Sequence, residues 1–322
     1  MTHFQKDSTK GPKFYRKTMN LAKRVPMLVN VSKFLVLIFS GLLATAWASK
    51  VGISFDSNLH YCVNEETKVG PVYLKKGSVG PCHDFSDEKL GAFFRFKLLF
   101  VDNLSGSSFQ GIKVKKLNLS EKKLEGVNFT KAQIDLFLAN NSIISFSDFS
   151  EAVLSSVNFK DAMALSARFR GSNLHGADLS GGHFDHAFFE AAVLTSANLR
   201  STECRQCVFK GIKGQQIQAE NTRFEGADFG NAELKFGKFK NANFEGANLQ
   251  GADFSSAELD GAQFKGADLT GAIFHTASLL GADLSEVKGE DIKWRFAKFD
   301  SATKLPFSSN EAVQQFGMIF IP

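Results

Sequence analysis

The stretch ANFEGANLQGADFSSAELDGAQFKGADLTGAIF, residues 242–274, repeats every five residues. Alanine stands at positions 242, 247, 252, 257, 262, 267 and 272, and Leu or Phe follows two residues after each one. Neither the 3.6-residue period of a helix nor the two-residue period of a strand generates this pattern. A fixed period of this kind indicates an architecture of stacked repeats.

The same period runs through most of the chain. Among the 40 positions taken every fifth residue from Leu104 to Phe299, 30 are Leu or Phe. A small residue usually precedes each of these central positions by two, and Asp or Asn often lies between, as in Ala267-Asp268-Leu269. The central residue and the small residue are therefore expected to point inward, with the other three facing solvent.

A four-sided coil explains these choices. If five residues form one side, a coil has 20 residues, and coils stack at the β-ladder spacing of about 4.8 Å. Residues 20 apart then lie above one another, which predicts a column of leucines at 154, 174 and 194. It also predicts a seven-membered phenylalanine ladder: Phe109, Phe129, Phe149, Phe169, Phe189, Phe209 and Phe229.

The motif A-(D/N)-(L/F)-x-x over residues 102–304 resembles the pentapeptide repeat family. The resemblance implies an all-β fold, a right-handed quadrilateral β-helix of about ten coils and roughly 50 Å in length. The first two coils depart from the motif, because larger residues replace the small one at Ile112, Leu117, Lys122 and Val127.

Elsewhere the usual order of the two inward residues is reversed, so that a large side chain occupies the small position and a small residue occupies the central position. Phe137 precedes Ala139, and Val287 precedes Gly289. Because a close-packed interior conserves volume, we expect these exchanges to keep the core filled.

The two ends of a solenoid need caps, since stacked coils expose apolar surface and unpaired backbone there. Residues 49–101 are the predicted N-terminal cap, with a helix within 86–99 that begins at Ser86. Residues 305–322 are the predicted C-terminal cap, with a short helix near 309–316 that ends at Gly317. Some members of the family that this chain resembles form a homodimer through this end, which is the alternative use of the segment.

Residues 1–48 have the order of a secretory signal peptide. Lys33 precedes an apolar run over 34–46, and Ala46-Trp47-Ala48 forms a small-residue cleavage site. Cleavage after Ala48 predicts an extracytoplasmic protein, periplasmic or secreted. The alternative is a membrane anchor over 34–47, although its apolar run is shorter than the roughly 20 residues of a spanning helix. Met27 is an alternative start.

The charge distribution argues against a nucleic-acid partner. The chain has a net charge of +5, but residues 1–48 carry eight Lys and Arg against one acid. Residues 102–304 carry 23 Lys and Arg against 25 Asp and Glu, so the repeats have no basic excess.

The four cysteines form two pairs. Cys62 and Cys82 lie together in the predicted cap, and in an exported protein they predict a disulfide. Cys204 and Cys207 hold a central and a small inward position, so they are a core pair, as separate fillers or as a buried disulfide. Redox activity is disfavoured, because a catalytic C-x-x-C usually begins a helix.

No catalytic, cofactor or metal residues are predicted, and the chain is not expected to be an enzyme. His183 and His186 face outward around a corner, with His175 nearby, and lack the spacing of a metal site. A hidden enzyme or metal binder at the ends, using His60, His83 or Asp84, is the alternative.

The sequence therefore predicts a non-enzymatic exported scaffold, with an unidentified protein or envelope partner. The alternative is a cytoplasmic DNA mimic that inhibits DNA gyrase, as certain members of the pentapeptide repeat family, which this chain resembles, do. Such a mimic needs a strongly acidic surface. We expect no concentrated patch of charge or aromatic residues among the outward positions.

Overall fold

The computed structural model describes residues 83–86, 98 and 100–322. The predicted signal peptide, Cys62 and Cys82 lie outside the described residues. The described chain is a β-solenoid that ends in a short helix and a final strand.

The backbone of each coil pairs in parallel with the backbone 20 residues further on. Ile143 pairs with Met163, and the N–H of Ile144 donates to the Met163 carbonyl at 2.7 Å. The same separation recurs over Asn103–Lys298, so each five-residue side lies over the corresponding side of the next coil. The expected all-β solenoid is confirmed.

Tight turns join the sides. In one of them the N–H of Ser147 donates to the Ile144 carbonyl at 3.2 Å, and the intervening Phe146 has a φ of 61°. Glycine holds the equivalent position in many coils, for example Gly266 with a φ of 70°, because it has no Cβ to clash in this conformation. A bulky residue such as Phe236, with a φ of 60°, costs about 1–2 kcal/mol there.

Two consecutive coils lack one corner. Strands β1 (Lys113–Asn118) and β2 (Gln133–Leu138) run straight through it and pair in parallel, with Lys116 opposite Leu136. Their inward residue at the usual small position is large, Leu117 or Phe137. The regular turn is thus absent where the sequence motif is weakest.

The inward side chains form one continuous core. The central and small residues are almost all buried, including the exchanged pair Phe137 and Ala139. The seven rings of the predicted phenylalanine ladder stack with centroids 4.6–5.0 Å apart and planes inclined by 3–13°. This separation follows the spacing of the backbone ladder, since each ring lies over the ring 20 residues earlier.

Beyond Phe229 the same column contains leucines, and aromatic stacking moves to two other sides. One stack joins Phe224, Phe244 and Phe264, and the other joins Phe254, Phe274 and Trp294. Rings of neighbouring stacks meet edge to face, as Phe264 and Phe274 do at 6.0 Å and 88°, an arrangement that aromatic pairs favour.

At the N-terminal end, residues 83–85 extend the parallel ladder of the solenoid by an isolated β-bridge. Asp84 pairs in parallel with Ser108, and Phe85 stacks on Phe109 at 4.3 Å. Leu98 is helical and buried, and most of the helix predicted over 86–99 lies outside the described residues.

The register slips by one residue in the last coil. Asp283 pairs with Lys304, which is 21 residues further on, and the carboxylate of Asp300 accepts hydrogen bonds from the N–H groups of Gly281 and Thr303. Burial raises the pKa of Asp283, but the hydrogen bond from the Lys304 ammonium at 2.7 Å opposes this, and the pKa falls to about 2. This ion pair holds the C-terminal segment to the coil above.

The C-terminal segment contains helix α1 (Ser309–Gln314) and strand β4 (Ile319–Phe320). Ser308 and Glu311 form a capping box at the start of α1. Gly317 has a φ of 63° after the helix, and β4 then pairs in parallel with β3 (Lys298–Phe299).

One exchanged pair does not keep the core filled. Val287 is only half-buried and Gly289 is exposed, so the expected compensation is wrong at this place. Gly289 has a φ of 120°, and a Cβ there would lie 2.4 Å from the backbone nitrogen of Thr270. The backbone itself therefore occupies the space next to Thr270, and the last coil leaves part of its interior open.

The phenylalanine ladder yields a stability prediction. Phe169→Ala should lower the free energy of unfolding by about 3–5 kcal/mol, because it leaves a cavity in the stack, and Phe169→Leu by roughly 1 kcal/mol. Urea unfolding followed by circular dichroism measures both. The control Val153→Ala, which shortens an exposed side chain, should change the free energy of unfolding by less than about 0.5 kcal/mol. A similar loss for Phe169→Ala and the control would contradict the prediction.

Candidate interaction surface

The Asp and Asn residues of the motif serve the turns. The side chain of Asp148 accepts a hydrogen bond from the N–H of Ser150 at 2.8 Å, and Asp268 accepts one from Thr270 at 3.0 Å. Hydrogen bonds from Gln250, then from Thr270, hold the pKa of Asp268 below its ordinary value. Because these carboxylates complete turns, they are poor candidates for a binding site.

One side of the solenoid has a different surface. We call it the His183 face; it consists of the outward residues 143, 163, 183, 203 and 223 and their partners 145, 165, 185, 205 and 225. They flank the central residues of one side in five consecutive coils.

An ion network covers the middle of this face. Nδ1 of His183 lies 3.1 Å from Oε2 of Glu203, and Arg205 contacts the carboxylates of Glu203 at 3.0 Å and Asp185 at 2.5 Å. Arg223 lies 3.9 Å from the other oxygen of Glu203. Each contact joins consecutive coils or neighbouring positions, so the network depends on the 20-residue register.

The network shifts the pKa values of Glu203 and Arg205. Partial burial raises the pKa of Glu203, but hydrogen bonding to His183 and the charge of Arg205 hold the pKa below its ordinary value. Burial lowers the pKa of Arg205, and the charges of Asp185 and Glu203 raise it overall. Both pKa shifts favour the ionised forms of Glu203 and Arg205.

An apolar patch adjoins the network, and it consists of Ile143, Met163 and Leu165. Met163 is 44% exposed and Leu165 is 38% exposed, while Ile143 is half-buried. The N–H of Leu165 donates to Oγ of Ser145 at 3.2 Å, so the patch has a fixed backbone. The expectation from the sequence concerned only charged and aromatic patches, and it missed this aliphatic one because Ile143 and Met163 come together only across the 20-residue register.

The cysteine pair lies beneath this face. Cys204 and Cys207 are joined by a disulfide with a Cα–Cα distance of 5.4 Å, and both residues are fully buried. The sulfur of Cys207 lies 3.0 Å from the carbonyl oxygen of Phe184. Thiol–disulfide exchange needs access to sulfur, so this geometry favours the structural interpretation.

The other candidate residues stay apart. His183 is engaged with Glu203, whereas His175 and His186 are exposed. Asp84 accepts a hydrogen bond from the Ser86 N–H at 2.9 Å. Within the described ranges, no three His, Cys, Asp or Glu side chains form a group that could hold a metal ion, and His60 lies outside those ranges.

The part of the chain that the structure describes contains no helix of sufficient length and apolarity to span a bilayer.

The profile of the family described as pentapeptide repeats matches this chain in eight copies, over residues 144–176, 172–211, 215–246, 238–275 and 252–288. Residues 144–211 and 215–288 therefore consist of pentapeptide repeats. No curated protein matches the sequence.

The solved structures that are similar to the chain include the following two. One is HetL, a pentapeptide repeat protein involved in heterocyst differentiation regulation from the cyanobacterium Nostoc sp. strain PCC 7120. It is 25% identical in sequence, and the alignment covers 64% of this chain and 94% of HetL with a TM-score of 0.47. The other is trypsin-treated QnrB1, a plasmid-mediated fluoroquinolone resistance protein. It is 19% identical in sequence, and the alignment covers 58% of this chain and 91% of QnrB1 with a TM-score of 0.51. The QnrB1 likeness shows the fold alone.

The buried disulfide gives a second prediction. Cys204→Leu with Cys207→Ala restores the residues typical of the repeat. The bond closes only a four-residue turn, so its loss removes roughly 2 kcal/mol of stability, and the added apolar volume offsets this. We expect the free energy of unfolding to stay within about 1 kcal/mol of the parent value.

The comparison variant is Cys204→Ser with Cys207→Ser, which buries two hydroxyl groups. Its free energy of unfolding should be about 2–4 kcal/mol lower than that of the Leu and Ala variant. Urea unfolding measures both variants. Equal losses in the two variants would show that the bond itself, rather than the packing at this corner, sustains stability.

Proposed function

We propose that this protein is a non-enzymatic, exported interaction scaffold whose His183 face binds a partner protein. The observation that carries the proposal is the apolar patch of Ile143, Met163 and Leu165 beside a fixed ion network. Apolar centres with charged rims are typical of protein interfaces.

The fold suits this role because the face is preorganised. Main-chain hydrogen bonds of 2.7–2.9 Å hold both Ile143 and Met163 in the ladder. Binding therefore orders few groups, which lowers the entropic cost of association. Met163 and Leu165 supply apolar area, and the ions of Glu203 and Arg205 supply orientation.

The alternative function, DNA mimicry toward gyrase, requires a predominantly negative surface. Here cations alternate with acids between coils, as in Arg200–Glu220 at 3.0 Å and Arg170–Glu190 at 3.3 Å. With 23 Lys and Arg against 25 acids in residues 102–304, the charge does not resemble that of DNA. We propose neither a nucleic-acid partner nor a cofactor.

A second mode of association is a homodimer through the C-terminal end. Strand β4 is the last strand, and its Ile319 and Phe320 are 41% and 45% exposed. An exposed terminal strand offers backbone groups for pairing with another chain.

Export is the third prediction. The native protein should begin at Ser49 and be found outside the cytoplasm, because signal peptidase cleaves after the small residues of Ala46-Trp47-Ala48. Intact mass and cell fractionation measure this. Ala46→Arg with Ala48→Arg should block cleavage, whereas Thr45→Ser should not. An uncleaved cytoplasmic chain with the parent sequence would overturn the proposal of export and favour an intracellular target.

Partner binding is the fourth prediction. Met163→Glu with Leu165→Glu should weaken partner binding at least tenfold, since it places charge in the apolar patch. The partner is purified from the envelope of the native host, and its affinity is measured by titration. The matched control, Val153→Glu with Ser155→Glu, adds the same charges on another side and should bind normally.

Light scattering on the same samples separates partner binding from dimer formation at β4. Equal affinities for the patch variant and the control would overturn the role of the His183 face. Gyrase inhibition by the purified parent protein, undiminished in the patch variant, would favour the DNA-mimic alternative.

A further inference from the structure

A cleft of about 420 Å³ opens at the C-terminal end of the solenoid. Its lining comes from two segments, the last coil and the C-terminal cap. The residues that contribute apolar surface are Val287, Ile292, Trp294, Pro306, Phe307 and Phe316. This volume falls within the roughly 300–1,000 Å³ of typical small-ligand sites.

The cleft exists because the last coil departs from the repeat. In the two coils above, the central position of this side holds Leu249 and Leu269, whereas the last coil has Gly289. The backbone at Gly289 lies so close to Thr270 that no side chain fits there. The interior volume that a leucine would fill is left open toward the cap.

Three aromatic rings line this volume. Trp294 stacks on Phe274 at 4.7 Å, and Phe307 meets Trp294 edge to face at 6.0 Å. Phe316 lies 4.5 Å from Phe307. Trp294 is held in place by the core on one side, so the cleft has a rigid aromatic wall.

Two carboxylates complete the lining. Glu290 and Asp291 are exposed at the turn beside Gly289 and also line the cleft. Neither forms an ion pair with any described residue, unlike the nearby Asp283, which binds Lys304 at 2.7 Å, and Glu286, which lies 3.4 Å from Lys265. The nearby cations Lys288 and Lys293 are not among the lining residues.

We propose that this cleft binds the side chain of a Lys or Arg within a segment of a partner protein. The apolar stem of such a side chain would pack on Phe307, Phe316 and Trp294, and its cation would lie near Glu290 and Asp291. Aromatic faces and carboxylates both attract cations. The site is separate from the His183 face and does not depend on the function proposed there.

Trp294 provides the readout. The chain has two tryptophans, Trp47 and Trp294, so the Trp47→Phe full-length protein reports on the cleft alone. The probe is the peptide acetyl-Leu-Arg-Leu-amide. We expect a saturable change in tryptophan emission, and at least tenfold weaker binding for the matched peptide with norleucine in place of Arg.

The acidic variant tests the carboxylates. Glu290→Gln with Asp291→Asn, made in the Trp47→Phe protein, should weaken binding of the Arg peptide about tenfold, as loss of two partly exposed ion pairs predicts. Glu245→Gln with Glu258→Gln makes the same charge change at exposed acids elsewhere and should leave the affinity unchanged. Circular dichroism confirms that both variants fold.

Equal affinity for the Arg and norleucine peptides would overturn the proposal, because the cation would then contribute nothing. Unsaturable emission changes, or equal weakening in the two variants, would also overturn it. If light scattering showed dimers in which added peptide no longer reached Trp294, the occupant would be a second copy of this chain instead.

Discussion

The parallel hydrogen bonds between residues 20 apart are the interaction on which the rest of the structure depends. They hold each side of a coil over the same side of the next, so one position in the sequence becomes a column in space. The stacked rings of Phe149 and Phe169, 5.0 Å apart, and the contact of His183 with Glu203 are both consequences. Contacts in the core and contacts on the surface therefore both join residues that are 20 apart.

This constraint explains which features could be predicted from the sequence. The inward positions repeat every five residues, so the solenoid and the placement of Phe109 in a column with Phe129 could be deduced from residue type alone. The apolar patch could not, because Met163 and Leu165 look like isolated outward residues until Ile143 is placed beside them. Arranging the outward residues in rows of 20 would have revealed it.

The prediction that failed concerns a local adjustment of the backbone. Val287 and Gly289 look like a volume-conserving exchange, as Phe137 and Ala139 are, yet only the latter pair is buried. The difference arises because the backbone at Gly289 approaches Thr270. Residue type alone does not specify such an approach, because it depends on the positive φ that the backbone adopts at Gly289.

A regular solenoid has little means of building a concave site, because close packing fills its interior and each side is nearly flat. Its binding surfaces must therefore come either from unusual residues in outward columns or from an irregularity in the coil itself. The described residues contain a feature of each kind, the His183 face and the cleft beside Trp294, and we propose both as binding surfaces. Both arise where the repeat departs from its motif, so the departures, more than the repeats, distinguish this protein from other solenoids.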